Sequence, residues 1–355
     1  MMHLNNHLVI MAGGVGSRFW PMSTVERPKQ FIDVLGVGKS LLQLTYERFK
    51  GIINPENVWV VTNKKYVDLV HEQLPEIPLG NILSEPCRRN TAPCIAYVSW
   101  RIKKTDSKAN IVVTPSDHIV TDPAEFRRVI KNCLNFTSET DAIVTLGMKP
   151  NRPETGYGYI QADLTAPSAR NKEIFRVDQF REKPDVETAE KYISQNTFFW
   201  NAGIFIWNVS TIINAFRIYQ PGIARIFERV YICLGTDDEQ KAIDEMYPEC
   251  ESISVDYAIM EKTEEIFVCP ADFGWSDLGT WGALHLQSNH DLYGNAIIGN
   301  NVQVFDSKNC IVHAKDAKKV VVQGLNGYIV AIKDDELLVC QLSEEQRIKQ
   351  FSGEK

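Results

Sequence analysis

Long apolar runs, basic blocks and paired cysteines are all missing from this chain, and each absence excludes a class of function. No stretch reaches the ~18–20 apolar residues that cross a bilayer, so no membrane span is read. No lysine- or arginine-rich block occurs and the formal net charge is −7, whereas a nucleic-acid binder carries a basic footprint. An acidic balance still permits a locally basic pocket around a small anion. The opening "MMHLNNHLVIMAGG" has no charged segment leading into a cleavable apolar one, so no secretory leader is read. The 8 cysteines are scattered without a C-x-x-C pair. That argues against a zinc or disulfide framework and for core thiols in a reducing compartment, the cytoplasm. The 7 histidines form no Ser-His-Asp or Cys-His pattern.

Two phosphate-loop motifs are present only in broken form. A G-x-G-x-x-G fingerprint beginning at Gly14 would have Gly16 second, but Phe19 stands where the third glycine should allow close helix–strand packing. "GVGKS" supplies Gly38, Lys39 and Ser40 for the end of a G-x-x-x-x-G-K-[ST] loop, yet Asp33 replaces its first glycine. That stretch reads instead as a turn into a helix capped by Ser40.

What remains is a globular chain of 355 residues, 44% hydrophobic and 23% charged, long enough for one large domain or two modest ones. "HLVIMA", "NVWVVT", "NILSEP", "NIVVTPSD" and "DAIVTLGM" alternate with helical patterns. This order predicts parallel strands with crossover helices, a Rossmann-like doubly wound α/β sheet. After Gly147 the texture turns antiparallel, as in "GYGYIQAD" and "IFRVDQFREKP", so the sheet is expected to be mixed. "FFWNAGIFIWNV" is too apolar for a surface, and helices follow to about Lys262. From about Asn295, short strands separated by Gly, Asn and Asp predict a small all-β unit. "DLYGN" is the expected junction, dividing the chain into 1–290 and 291–355.

The loop "MAGGVGSRFWPMS" and the following "ERPKQF" place bare glycines beside Arg18, Pro21, Pro28 and Lys29. Bare backbone lets successive N–H groups face an anion, and arginine offers a fork to phosphate oxygens. "IVVTPSDHIV" sets Asp117 just past a buried strand, where a carboxylate faces a metal or caps a turn. His118 beside it either supports that carboxylate or packs. Asp277, in "FGWSDLGTW", stands amid aromatics and glycines just before a helical stretch and reads, taken alone, as a helix N-cap. In "SEPCRRNTAP", Asn90 is a natural N-cap at a strand-to-helix turn.

Taken together, "AGGVGSRFWPMSTVERPKQF" and the later segments resemble the sugar-1-phosphate nucleotidyltransferases, the nucleotide-sugar pyrophosphorylases. The resemblance runs in ordered motifs from about Leu8 to Leu284, and more loosely beyond. It implies a GT-A-like catalytic domain that joins a nucleoside triphosphate to a sugar 1-phosphate with help from Mg²⁺. The "RFWPMS" and "RPKQF" variants resemble the branch that takes GTP and α-D-mannose 1-phosphate; other branches take UTP, dTTP, CTP or ATP.

The resemblance assigns Ala12, Gly13, Gly14, Gly16, Ser17, Arg18, Lys29, Glu85, Asn90, Thr91, Ser116 and Asp117 to the nucleotide. Glu85 would accept from the guanine N1–H and amine, and Arg18, Lys29 and Asp117 would serve catalysis. Gly156, Tyr157, Glu182, Lys183, Asn201 and Gly203 fall to the sugar phosphate, and Asp117 and Asp277 to the metal. Lys29 is expected near the α-phosphate or the leaving pyrophosphate. The ~60 residues after the junction resemble the short β-helix-like tail of monofunctional members rather than the cupin-type isomerase of longer ones. That tail is expected to cover the catalytic domain or to join two copies. A non-catalytic nucleotide-sugar binder and a related glycosyltransferase are the rival readings. The first would lack a metal carboxylate or the loop lysine, and the second would carry a D-x-D-like motif where "PSDH" offers one aspartate.

Overall fold

The computed structural model describes residues 5–14 and 16–353, with the Ser17 side chain also outside the description. The chain divides into two compact units. The first comprises Met1–Gly13, Arg48–Pro115 and Val120–Trp275, and the second Gly14–Glu47, Ser116–Ile119 and Ser276–Lys355. The chain thus passes from one unit to the other inside the glycine loop, on either side of Asp117, and just before Asp277.

The first unit is built on nine strands: β1 (Asn6–Ala12), β2 (Val58–Asn63), β3 (Ile82–Glu85), β4 (Asn110–Pro115), β6 (Ile143–Met148), β7 (Gly158–Pro167), β8 (Phe175–Glu182), β9 (Phe198–Asn208) and β10 (Ile266–Ala271). Two short strands, β5 (Ile119–Val120) and β11 (Trp275–Ser276), lie outside this sheet. The spatial order is β3-β2-β1-β4-β9-β6-β10-β8-β7. β3, β2, β1 and β4 are parallel, with Leu8 opposite Val58 and Val112. Their runs of Val, Ile and Leu are buried without alternation, as parallel strands covered on both faces must be.

The expected alternation holds through β6, but β9 lies between β4 and β6 and is antiparallel to both. Its "FFWNAGIFIWN" run is apolar because it fills the middle of the sheet, with Ile206 and Trp207 wholly buried. The β6–β9 ladder slips between Thr145 and Gly147. A bulge of this kind re-aims neighbouring side chains, and Asn201 stands beside it. Helices Thr91–Thr105 and Val209–Tyr219 contribute Trp100 and Phe216, whose rings meet edge to face in the main core.

In the second unit Ser40 caps as expected. Its Oγ takes the Gln43 N–H while Gln43 Oε1 takes the Ser40 N–H, a reciprocal pair at the start of helix Leu41–Phe49. The C-terminal strands are β12 (Ala296–Ile298), β13 (Val302–Phe305), β14 (Ile311–His313), β15 (Val320–Gln323), β16 (Tyr328–Lys333) and β17 (Glu336–Gln341). β12, β14 and β16 stack in parallel with Ala296, Ile311 and Ile329 in register, and β13 pairs in parallel with β15. These are coils of a short β-helix. Val312, Val320, Val322 and Val330 fill its interior. The opposite face of β12, β14 and β16 packs with Phe19, Met22, Leu41 and Trp281. β14 and the middle of β16 are therefore buried on both sides, which blurs the repeat in sequence.

After β17 the tail turns through Leu342–Arg347 into a short helix, Ile348–Ser352. Ile348 is 0% exposed within the Phe19–Trp281 cluster, and the Glu345 carboxylate accepts the Gly282 N–H at 2.7 Å. Among the described residues no helix is long and apolar enough to cross a membrane.

Candidate active site

In the second unit, Gly16 packs against Lys29. Gly16 has φ +65°, and a Cβ there would lie 2.6 Å from the Lys29 Cβ, so both conformation and space require glycine. Gly14 is exposed, and its carbonyl accepts from Gln30 Nε2 at 2.8 Å. Lys29 is 4% exposed. Its Nζ donates to Asp117 Oδ2 at 2.9 Å, to the Leu278 carbonyl at 2.8 Å and to the Asp277 carbonyl at 3.3 Å. An ammonium has three N–H donors, so all three are engaged.

Leu278 holds φ +47°. A branched apolar residue rarely adopts that conformation, and strain of this kind gathers at functional sites. Asp277 is not the N-cap of the helix that follows: Thr280 caps Trp281–Gln287 by accepting from the Ala283 N–H. Asp277 Oδ1 instead takes the Gly279 N–H at 3.1 Å. Ser116 is buried, and its carbonyl accepts from Thr45 Oγ1.

Gly16, Arg18, Phe19, Lys29, Asp117, His118, Asp277, Gly279 and Lys349 line one pocket of about 290 Å³, near the lower size of small-ligand sites. Burial would push the Asp117 carboxyl up, but the charges of Lys29 and His118 and the Lys29 hydrogen bond hold it below the usual carboxylate range. His118 Nε2 lies 3.9 Å from Asp117 Oδ1. Among the described residues no three metal-binding side chains cluster. Two carboxylates still suit a hard divalent ion that keeps waters and substrate oxygens as its other ligands.

In the first unit, Ala12 ends β1, where its carbonyl accepts from Thr62 Oγ1. A Cβ on Gly13 would stand 3.4 Å from Glu85 Oε2. Glu85, buried at the end of β3, accepts the Tyr247 O–H. Asn90 occupies the N-cap position of helix Thr91–Thr105 without making a capping hydrogen bond. It has φ +61° and ψ −165°, a region nearly confined to glycine. Its amide donates to Ser252 Oγ, while Thr91 Oγ1 accepts the Val255 N–H.

Burial pushes the Glu85 carboxyl up to about 7, outweighing the lowering by Tyr247. Because the folded pKa lies above the unfolded one, stability falls as pH rises from about 4.5 to 7 and is level above. Glu85→Gln keeps an acceptor for Tyr247 and cannot ionise. By urea unfolding it should exceed the parent by roughly 2–3 kcal/mol at pH 8, with the gap closing by pH 5. An equal gap at both pH values would rule out the burial account.

The residues expected at the sugar phosphate all lie in the first unit. Asn201 Oδ1 accepts from Thr145 Oγ1 at 3.0 Å and the Gly203 N–H at 3.1 Å, and its Nδ2 donates to Asp256 Oδ1 at 3.0 Å. Among the described residues, the second amide N–H of Asn201 has no partner. Gly203 has φ +67°. Glu182 pairs with Lys183 at 3.1 Å, and Lys183 holds φ +48°. Gly158 leaves the space that Glu182 occupies, since a Cβ there would lie 2.5 Å from Glu182 Oε2. Tyr157 meets Trp200 and Trp275 edge to face, and the Gly156 N–H is held by Glu154.

Sequence alone does not single out Tyr247, Lys349 or Asp256. Asp256 opens a π-helical turn, Asp256–Met260, a rare element found mostly at functional sites. Burial, with the Glu182 charge nearby, pushes its carboxyl up to about 6. All eight cysteines are free thiols.

Residues 7–293 match the nucleotidyl transferase family and 299–353 the mannose phosphate isomerase/GMP-like β-helix domain. The chain belongs to the nucleotidyl transferase family, whose members generally use a divalent metal. Several of its relatives bear one name. Mannose-1-phosphate guanylyltransferase 2 of Escherichia coli O157:H7 is 36% identical over 351 residues, covering 97% of this chain and 72% of its own. Mannose-1-phosphate guanylyltransferase of Escherichia coli strain K12 is 34% identical over 346 residues, covering 96% and 71%. The crystal structure described as mannose-1-phosphate geranyltransferase from Thermus thermophilus superposes with a TM-score of 0.87 at 30% identity, covering 99% of both chains.

Proposed function

We propose that the chain transfers GMP from GTP to α-D-mannose 1-phosphate, releasing pyrophosphate and forming GDP-mannose. The pocket in which Lys29 holds Asp117 while Arg18 and Asp277 line the same space carries this reading. Guanylyltransferase relatives matched across 96–97% of the chain support it.

A phosphate oxygen of the sugar phosphate attacks the α-phosphorus in line as the bond to the β-phosphate bridging oxygen breaks. That oxygen leaves with pyrophosphate. A phosphomonoester's second pKa is near ~6, so the nucleophile is already largely dianionic at neutral pH and needs no general base. The obstacle is repulsion: each pair of unit charges ~4 Å apart costs about 4 kcal/mol at an effective dielectric of ~20. Arg18, the charge of Lys29 and the N–H groups of Gly13, Gly14 and Gly16 offset it on the nucleotide, and Lys183 does so on the sugar phosphate. Ala12, Ser17 and Ser116 border the nucleotide. Asp117 and Asp277 would hold Mg²⁺, which when bound draws charge from the phosphate oxygens.

Glu85, with Asn90 and Thr91, takes the guanine. Glu182, the remaining Asn201 N–H and the backbone at Gly156, Tyr157 and Gly203 take the sugar. We assign 1–290 to catalysis and 291–355 to a β unit that covers it or joins two copies, and place the protein in the cytoplasm. Five nucleoside triphosphates assayed against mannose 1-phosphate and glucose 1-phosphate test the reading. Pyrophosphate release should require sugar phosphate and be greatest with GTP and mannose 1-phosphate. Preference for another pair would leave the enzyme class and overturn the substrates; no release with any pair would overturn both.

A further inference from the structure

We propose that Lys349, on the C-terminal helix of the tail, binds the phosphate chain of the nucleotide and the departing pyrophosphate. The inference rests on the nucleotidyltransferase reading of this pocket and adds to it a residue outside the span matched by the nucleotidyl transferase family. Lys29 is the cation nearest the Asp117 carboxylate, but its three N–H groups already meet Asp117, Asp277 and Leu278. It retains a charge and no free donor. Arg18 and Lys349 line the same pocket, and neither has an ion-pair partner among the described residues. They are the cations with donors to spare for phosphate oxygens.

The position of Lys349 is built by its neighbours. Ile348 is buried in the cluster containing Phe19 and Trp281, and Phe19 belongs to the turn Ser17–Phe19 that carries Arg18. Glu345 accepts the Gly282 N–H and fastens the preceding turn. Arg347 is committed elsewhere, to Glu344 at 2.8 Å and to the face of Phe351. The tail thus presents one uncommitted ammonium to a pocket that already holds two acidic side chains.

Calorimetric titration of the full chain with inorganic pyrophosphate and Mg²⁺ tests this. Lys349→Ala should weaken pyrophosphate binding about 5- to 20-fold, and Lys349→Arg should recover it to within about threefold. In turnover, KM for GTP should rise by a similar factor while KM for mannose 1-phosphate stays within about twofold, a split that a structural role would not give. The melting temperature should hold, because Lys349 is exposed. Pyrophosphate affinity and KM for GTP both within twofold of the parent would overturn the proposal, as would equal losses for both substrates. A parent that binds pyrophosphate in a Lys349-dependent way without making GDP-mannose would sink the substrate assignment and leave Lys349 standing.

Discussion

Lys29→Ala is expected to lower kcat/KM by at least ~100-fold, about 2.7 kcal/mol, and to lower the melting temperature as well. The two effects have one origin. The buried ammonium ties the Asp117 side chain to the backbone carbonyls of Asp277 and Leu278. Removing it leaves the buried Leu278 carbonyl short of a donor, which costs about 1–3 kcal/mol, and the part-exposed Asp117 carboxylate and part-buried Asp277 carbonyl likewise, at less. It also releases the Leu278 backbone, which sits at a positive φ that its sequence does not favour. A lysine acting only through its charge on phosphate would leave stability nearly unchanged. Thermal unfolding beside steady-state kinetics separates these accounts, and a folded variant with near-normal turnover would remove Lys29 from the machinery.

How far the sequence disclosed this arrangement depends on the length scale of each signal. The parallel strands were legible because "LVI", "WVV" and "IVV" are unbroken apolar runs closed by Gly, Asn or Pro. The Ser40 cap was legible because a Ser and a Gln three residues apart satisfy each other locally. The insertion of β9 between β4 and β6 was not, since period and composition show that a strand is buried without naming its neighbours. Asp277 and Asn90 each look like caps in isolation, and the structure uses each side chain otherwise, with a local competitor at the first and a distant one at the second. Thr280 caps in place of Asp277, while Ser252 draws the Asn90 amide away from the helix it precedes. Asp256, Tyr247 and Lys349 carried no local motif: each gains meaning only from a partner or a pocket formed by residues far away in the chain.

Asp117→Asn and Asp277→Asn are both expected to cut kcat/KM by at least ~1,000-fold, about 4 kcal/mol, yet to part in their effect on folding. Each removes a negative oxygen that a divalent ion would need, and an amide is a poor substitute toward a hard cation. Only Asp117 gives its side chain to Lys29; Asp277 meets Lys29 through its backbone carbonyl, which the substitution leaves in place. Asp117→Asn therefore strands a buried ammonium without its counter-charge and should lower stability by about 1–3 kcal/mol. Asp277→Asn keeps an oxygen for the Gly279 N–H and should unfold within about 0.5 kcal/mol of the parent. Added Mg²⁺ should recover part of the activity of both variants if metal affinity is what they lose. Activity that survives either change at saturating GTP and normal Mg²⁺ would mean that the carboxylate in question is no metal ligand.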